Sequence, residues 1–273
     1  MNRSIDHKDL QKAFPQAERN RSIDTKDDYY YVVKGPAYTD FSPRTIKEVK
    51  KETILPALEN LAEKIYNFIH SEEKIDSKKF DLWHKETCKE FIEKYKSYTK
   101  KEIKFGKAQK IVNMTFKYLF CFDDSMKYKE KFEHCHMPLD TYTLEWFTDN
   151  VVKQYNKDNK NEKVKTTTIK EKSWGNLDFG EKNERYSYSW IQNEIKVFLN
   201  KSNQYVDANG EPLSPFFAEF YIWPEQKWKR LFKPFESQDI MKNKEYPSYS
   251  NEELSKQIKK LYKTIGDIKT KFD

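Results

Sequence analysis

The chain has 273 residues, enough for one large domain or two small ones with a substantial buried core. It is polar overall, with 35% charged residues and a mean hydropathy of -1.02, yet 16% aromatic residues exclude general disorder and point to an aromatic-rich core. The 51 basic residues exceed the 44 acidic ones and give a formal charge of +7, which favours a polyanionic partner without requiring one. Cys88, Cys121 and Cys135 are odd in number and widely spaced, a pattern that argues against a disulfide framework and for a reducing compartment. Residues 1–14 carry no apolar signal segment, and no run approaches the ~20 apolar residues of a membrane span, so a cytoplasmic setting without a membrane partner is expected.

In chain order, NRSIDHKD at residues 2–9 returns as NRSIDTKD at residues 20–27. Two copies are too few for a solenoid, and residues 1–44 are predicted to be an N-terminal extension ahead of a mostly α-helical domain over 45–273. Residues 28–33, Asp-Tyr-Tyr-Tyr-Val-Val, suit a short strand, and Gly35-Pro36 and Ser42-Pro43 predict loop. From Thr45 the pattern is helical, with Ile46, Val49, Ile54, Leu58, Leu61, Ile65 and Phe68 on roughly one face and Pro56 as an expected kink or break. A second helix starts at an Asp76-Ser77 cap and carries Phe80, Trp83, Phe91, Ile92 and Tyr95.

The next helix, from about Phe105, is apolar nearly all round and belongs in the interior. One line along it is polar, because Lys110, Asn113 and Lys117 recur at helical spacing with Lys107 one turn earlier. Residues 123–133 form a charged connector, and a further helix is predicted from Asp140 to about Tyr155, with Asp140 or Thr141 as its cap. Residues 156–184 are a polar insertion, read as a long loop with a strand allowed over 163–170. Helical periodicity returns at Trp190, Ile191, Ile195, Phe198 and Leu199; residues 207–210 mark a turn; residues 215–223 are too apolar to be exposed. Leu254, Ile258, Leu261, Ile265, Ile268 and Phe272 form the seam of a last helix, suited to docking on one partner helix. The fold class is therefore a mostly α, multi-helix globular domain with few or no strands.

Hydrolase and nucleotide-binding signatures of the G-x-S-x-G, G-x-x-x-x-G-K and G-x-G-x-x-G types are absent. His134, Cys135 and His136 offer three metal-capable side chains, but the spacing fits no structural zinc site, and neither metal nor cofactor is expected. Gly106 stands at a helix start, where free N–H groups can hold one phosphate. Asp140 at a helix start is placed to stabilise developing positive charge, and a desolvated lysine such as Lys110 can act as a nucleophile.

The segment FGKAQKIV at residues 105–112 resembles the hairpin of the helix–hairpin–helix DNA glycosylases, whose pattern is apolar, Gly, any, Gly, any, Lys, any, Ala. Gly106 takes the first glycine and Lys110 the lysine; Ala108 replaces the second glycine. MPLDTYTLEWF resembles the same superfamily's V-P-V-D-T-H-V segment, with Pro138, Leu139, Asp140 and Thr141 in register. The likeness spans residues 105–147 and makes the connector at 123–133 an inserted loop. It implies that Asp140 breaks the N-glycosidic bond and that Lys110 is the Schiff-base lysine where that chemistry operates. Lys104, Lys107, the Gly106 amide, Asn113, Lys117 and His136 are then the expected DNA contacts, and Trp146, Trp190, Tyr221 and Trp223 either line a base pocket or fill the core.

The implied protein is a monomeric enzyme that flips a modified or damaged base out of DNA, taken to be double-stranded, and excises it, in base-excision DNA repair or in antiviral defence. Hydrolysis would leave an abasic site, and attack by Lys110 would allow strand cleavage by β-elimination. Two other classes stay open: a non-catalytic α-helical nucleic-acid-binding or regulatory protein, and a metal-dependent nuclease built on His134 and His136.

Overall fold

The computed structural model describes residues 21–41, 49–171 and 173–236. Regular structure among them is helical, and the one sheet-like contact is an isolated antiparallel bridge between Val206 and Pro212. The chain divides into a compact unit, Met1–Trp228, and a second unit, Lys229–Asp273, of which residues 229–236 are described and are helical. The predicted seam helix from Leu254 to Phe272 and the first copy of the duplicated segment lie outside the described residues. Among the described residues no helix is long and apolar enough to cross a membrane.

Helix α1 (Lys26–Val32) runs through a π-helical turn (Val33–Ala37) into α2 (Tyr38–Phe41). The strand expected at residues 28–33 and the loop at Gly35-Pro36 are therefore both helical. A strand must pair its backbone with a neighbour, whereas a helix satisfies its own N–H and C=O groups, and no strand is available among the described residues. The buried positions Tyr29, Val32, Val33, Ala37 and Phe41 follow helical spacing and enter the same core as the later helices. The described part of the predicted extension is thus a wall of that core.

Helix α3 (Lys51–His70) passes through Pro56 unbroken. Helix α4 (Ser77–Thr99) begins where the Asp76 carboxylate accepts the Lys79 N–H at 2.8 Å and ends at Lys100, whose φ of 59° closes it in the left-handed conformation. A short turn then leads to α5 (Phe105–Phe120), the centre of the fold. Every residue of α5 except Lys107 is buried.

Beyond α5 the chain makes a 3-10 turn (Ser125–Tyr128) and α6 (Lys129–Phe132), then runs without helix to Asp140. Helix α7 (Thr141–Trp146) continues through a π-helical turn (Phe147–Val152) into α8 (Lys153–Asp158). The polar insertion is partly built on the core. Asn156 pairs with both backbone groups of Val164 at 2.9 and 2.7 Å, and Val164, Ile169 and Leu177 are buried. The strand allowed over 163–170 is instead α9 (Thr166–Glu171), again because no strand stands beside it. A 3-10 turn (Trp174–Asn176) follows, then α10 (Tyr188–Lys201), the Asp207-to-Gly210 turn with Gly210 at φ +85°, and α11 (Pro215–Glu236). Phe216, Phe217 and Phe220 of α11 pack on Phe120 with ring centroids 5.1–5.7 Å apart.

Candidate functional site

Two buried polar systems meet on α5. The first is charged. Asp140 caps α7 with a capping box: its Oδ1 accepts the N–H groups of Tyr142 and Thr143 at 2.9 and 3.0 Å, and Thr143 Oγ1 accepts the Asp140 N–H. Its other oxygen, Oδ2, accepts from Lys110 Nζ at 2.9 Å and from the Trp223 indole N–H at 3.0 Å. Lys110 and Asp140 side chains are only 6% and 13% exposed, so the pair is nearly dry. One and two turns along the helices, Lys117 Nζ meets Glu219 Oε1 at 2.7 Å with both side chains at 1%, and lies 4.9 Å from the Trp223 ring. Glu219 and Trp223 stand four residues apart on α11, on one face. The other Glu219 oxygen is buried without a hydrogen-bond partner among the described residues.

Burial alone would discharge these groups, and their mutual charges decide the outcome. It pushes Lys110 down, but the carboxylates of Asp140, Asp40 and Glu219 outweigh it and hold the ammonium above the ordinary lysine range. It pushes Asp140 up, but Lys110, the Thr143 N–H and Lys117 hold the carboxyl below its usual range. For Glu219 burial wins over Lys117, and the carboxyl is raised.

The second system is uncharged from Gln109 to Tyr188 and ends at the Asp81 carboxylate. Asn113 Nδ2 donates to Gln109 Oε1 at 2.9 Å and to the Tyr188 hydroxyl at 3.0 Å, while its Oδ1 faces His84 Nε2 at 2.9 Å. Because the Tyr188 oxygen accepts from Asn113, its own proton is available to His136 Nδ1 at 2.9 Å, and His136 Nε2 then donates to Asp81 at 2.8 Å. Burial raises Asp81, but His136 and Lys182 outweigh it and hold that carboxyl at about 2. Two glutamines act like strand partners for the run before Asp140. Gln192 bonds both the N–H and the C=O of Met137 at 3.3 and 2.7 Å, and Gln109 bonds both those of Leu139 at 3.2 and 3.0 Å. The position of Asp140 is thereby fixed from its own cap and from the backbone preceding it.

The predicted site residues divide accordingly. Lys110, Asp140 and Lys117 come together, whereas Asn113 and His136 belong to the neutral network and have their polar atoms engaged there. Gly106 lies inside the first turn of α5, not in a hairpin, and its N–H donates to Leu177 O at 2.8 Å. A Cβ on it would stand 1.9 Å from Trp174 O, so the glycine serves close packing and not an open phosphate site. Lys104 is exposed and pairs with Asp178 at 3.1 Å; Lys107 is half-buried, with its stem beside Gly175. His134 faces Ser77 Oγ at 3.5 Å, the Cys135 thiol points to Lys131 O, and His136 faces Asp81 and Tyr188, so the three diverge. Among the described residues no group of three or more His, Cys, Asp or Glu side chains could hold a metal ion. Trp146 and Trp190 are core residues. A groove of ≈ 810 Å³ lined by Asp81, His134, His136, Lys182 and Gln192 includes neither Lys110 nor Asp140.

Glu219, Gln109, Gln192 and Tyr188 escaped the sequence reading. The signal for Glu219 was present, as the one carboxylate inside the apolar run at 215–223. Comparison with protein-family models, with curated proteins and with solved structures gives no match.

Proposed function

We propose that the chain is a DNA base-excision enzyme of the N-glycosylase type, working at the Lys110–Asp140 pair. One observation carries the reading: the lysine and the carboxylate singled out from separate stretches of sequence stand 2.9 Å apart. Cleaving an N-glycosidic bond builds positive charge on the sugar, and a carboxylate already ionised and fixed in place stabilises that charge without reorganising. Asp140 has this character, held by its cap and by Trp223. Tyr142 and Trp223, both partly exposed beside it with ring centroids 5.5 Å apart, supply flat apolar surface against which an extruded base can rest. The positive net charge and Lys104 and Lys107 supply phosphate contacts to duplex DNA.

The charge state of Lys110 favours hydrolysis over lyase chemistry. An ammonium has no lone pair with which to attack the sugar, so water adds to the anomeric carbon and the base leaves carrying a proton. Lys110 is then a positioning partner that keeps Asp140 ionised. The protein is read as a monomer in the cytoplasm, serving repair or defence against modified phage DNA.

The test is incubation with DNA carrying assorted modified bases, with free base and abasic sites measured separately. Release of a base with strands intact until alkali is added is the expected result, and no borohydride-trapped adduct should form. Absence of release from every substrate overturns the reading. An adduct that disappears in Lys110→Gln restores the lyase route. A second reading, a helical nucleic-acid-binding protein in which Asp140 is only a cap, is favoured by the four hydrogen bonds that occupy its carboxylate. That protein would bind DNA with a steep salt dependence and leave it unchanged.

A further inference from the structure

The second copy of the duplicated segment has a structural task in the fold. Arg21 pairs with Asp28 at 2.5 Å and lies 3.4 Å over the Tyr31 ring. The Ser22 N–H donates to Asp28 Oδ2 at 2.9 Å and the Ser22 hydroxyl to Asp124 Oδ2 at 2.6 Å. The Ile23 N–H donates to Asp124 Oδ1 at 3.0 Å while its side chain is fully buried in the core. Asp24 accepts from Lys127 at 2.5 Å and from the Tyr128 hydroxyl at 3.0 Å. Four consecutive residues, Arg-Ser-Ile-Asp, are therefore read one by one by a receptor made of Asp28, Asp124, Lys127, Tyr128 and a hydrophobic socket.

None of the receptor side chains belongs to the tetrapeptide that fills it. Residues 3–6 are also Arg-Ser-Ile-Asp, eighteen positions earlier (21 − 3 = 18), and they lie outside the described residues. We propose that this receptor is a docking site for the Arg-Ser-Ile-Asp tetrapeptide and that Arg3, Ser4, Ile5 and Asp6 of the same chain are its second, interchangeable ligand. Leu10, which stands where the second copy has Asp28, does not spoil the exchange, because Asp28 stays in place on α1 when residues 21–24 leave. The cost of using the earlier copy is the closure of a longer loop, which grows only with the logarithm of its length. The adjacent copy holds the site in the resting chain, and the earlier copy takes over when it is damaged or pulled away.

The test compares thermal unfolding of three variants of the full chain. Ser22→Ala/Asp24→Ala removes the resident ligand's polar contacts, Ser4→Ala/Asp6→Ala removes those of the spare, and the quadruple variant removes both. The Ser4→Ala/Asp6→Ala change should be silent, Ser22→Ala/Asp24→Ala should lower Tm modestly, and the quadruple variant should fall further than the sum, by roughly 4–8 °C in all. The shifts should not depend on protein concentration. Strict additivity, or failure of the Ser22→Ala/Asp24→Ala chain to fold while residues 3–6 are intact, overturns the proposal. Shifts that grow on dilution overturn it as well, since they would make the exchange one between chains. None of these readings depends on catalytic activity.

Discussion

The two polar systems on α5 do different work with similar burial. Lys110, Lys117, Asp140 and Glu219 tie α5 to α7 and α11 through net charges, whereas Gln109, Asn113, His84, Tyr188 and His136 tie it to α4, α10 and the run before Asp140 through neutral hydrogen bonds. A buried ion pair keeps its worth only while both members are present, because a lone buried charge is left unsolvated. A neutral network loses one bond at a time. The first system is thus brittle and chemically poised, and the second is a frame that positions it.

The largest expected effect follows from the brittle side. Lys117→Met strands the Glu219 carboxylate in a dry site and should cost about 3–5 kcal/mol in urea unfolding, with Lys117→Met/Glu219→Leu recovering most of the loss. Equal losses in the single and double variants would mean that packing, not charge, joins α5 to α11. On the neutral side, Asn113→Leu leaves Gln109, Tyr188 and His84 each short of a partner and should cost about 1–3 kcal/mol by the same assay. Gly106→Ala adds a methyl against the Trp174 carbonyl and should cost about 1–3 kcal/mol. An unchanged stability there would show that the α5 start is open, as a phosphate site requires.

The smallest effect separates the systems by pH. Burial holds the His84 imidazole well below its ordinary range, so below about pH 6.5 the unfolded chain takes up a proton that the folded chain refuses. Stability should fall with pH on that account between pH 6.5 and 5, by at most about 1.4 kcal/mol per unit, and His84→Gln should remove that slope. Lys110 and Asp140 behave oppositely. With Asp140 held low and Lys110 held high, the contribution of their pair is flat from about pH 4 to 10. It is lost as pH falls through the depressed Asp140 value or rises through the elevated Lys110 value. A slope near neutrality that survives in His84→Gln and vanishes in Asp140→Asn would reverse the assignment.

Much of this was legible in the residues. The Asp76 and Asp140 caps, the burial of α5 apart from Lys107, the turn at residues 207–210 and the burial of most of residues 215–223 each rest on local chemistry, and local chemistry can be read along a chain. The strand reading of residues 28–33 and the strand allowed over 163–170 did not hold, because β-branched and aromatic residues suit strands only where another strand exists, and that is a fact about the whole fold. The polar line of α5 was visible, but its division was not: whether Asn113 joins the lysines or leaves them depends on Tyr188, 75 residues away. Gly106 resembled a phosphate-binding glycine, and what occupies its N–H is Leu177, from the stretch that composition had marked as a loop.

In the proposed enzyme Asp140 is a working carboxylate and not only a cap. Asparagine also caps helices well, so Asp140→Asn preserves the start of α7 while removing the charge. The direct measurement is the single-turnover rate of abasic-site formation on a releasing substrate, for the wild type and for Asp140→Asn at equal folded fraction. A loss of about a thousandfold or more, which corresponds to about 4 kcal/mol of transition-state stabilisation, is the predicted result. Equal rates for the two folded proteins would contradict the account and leave Lys110 and Asp140 as architecture.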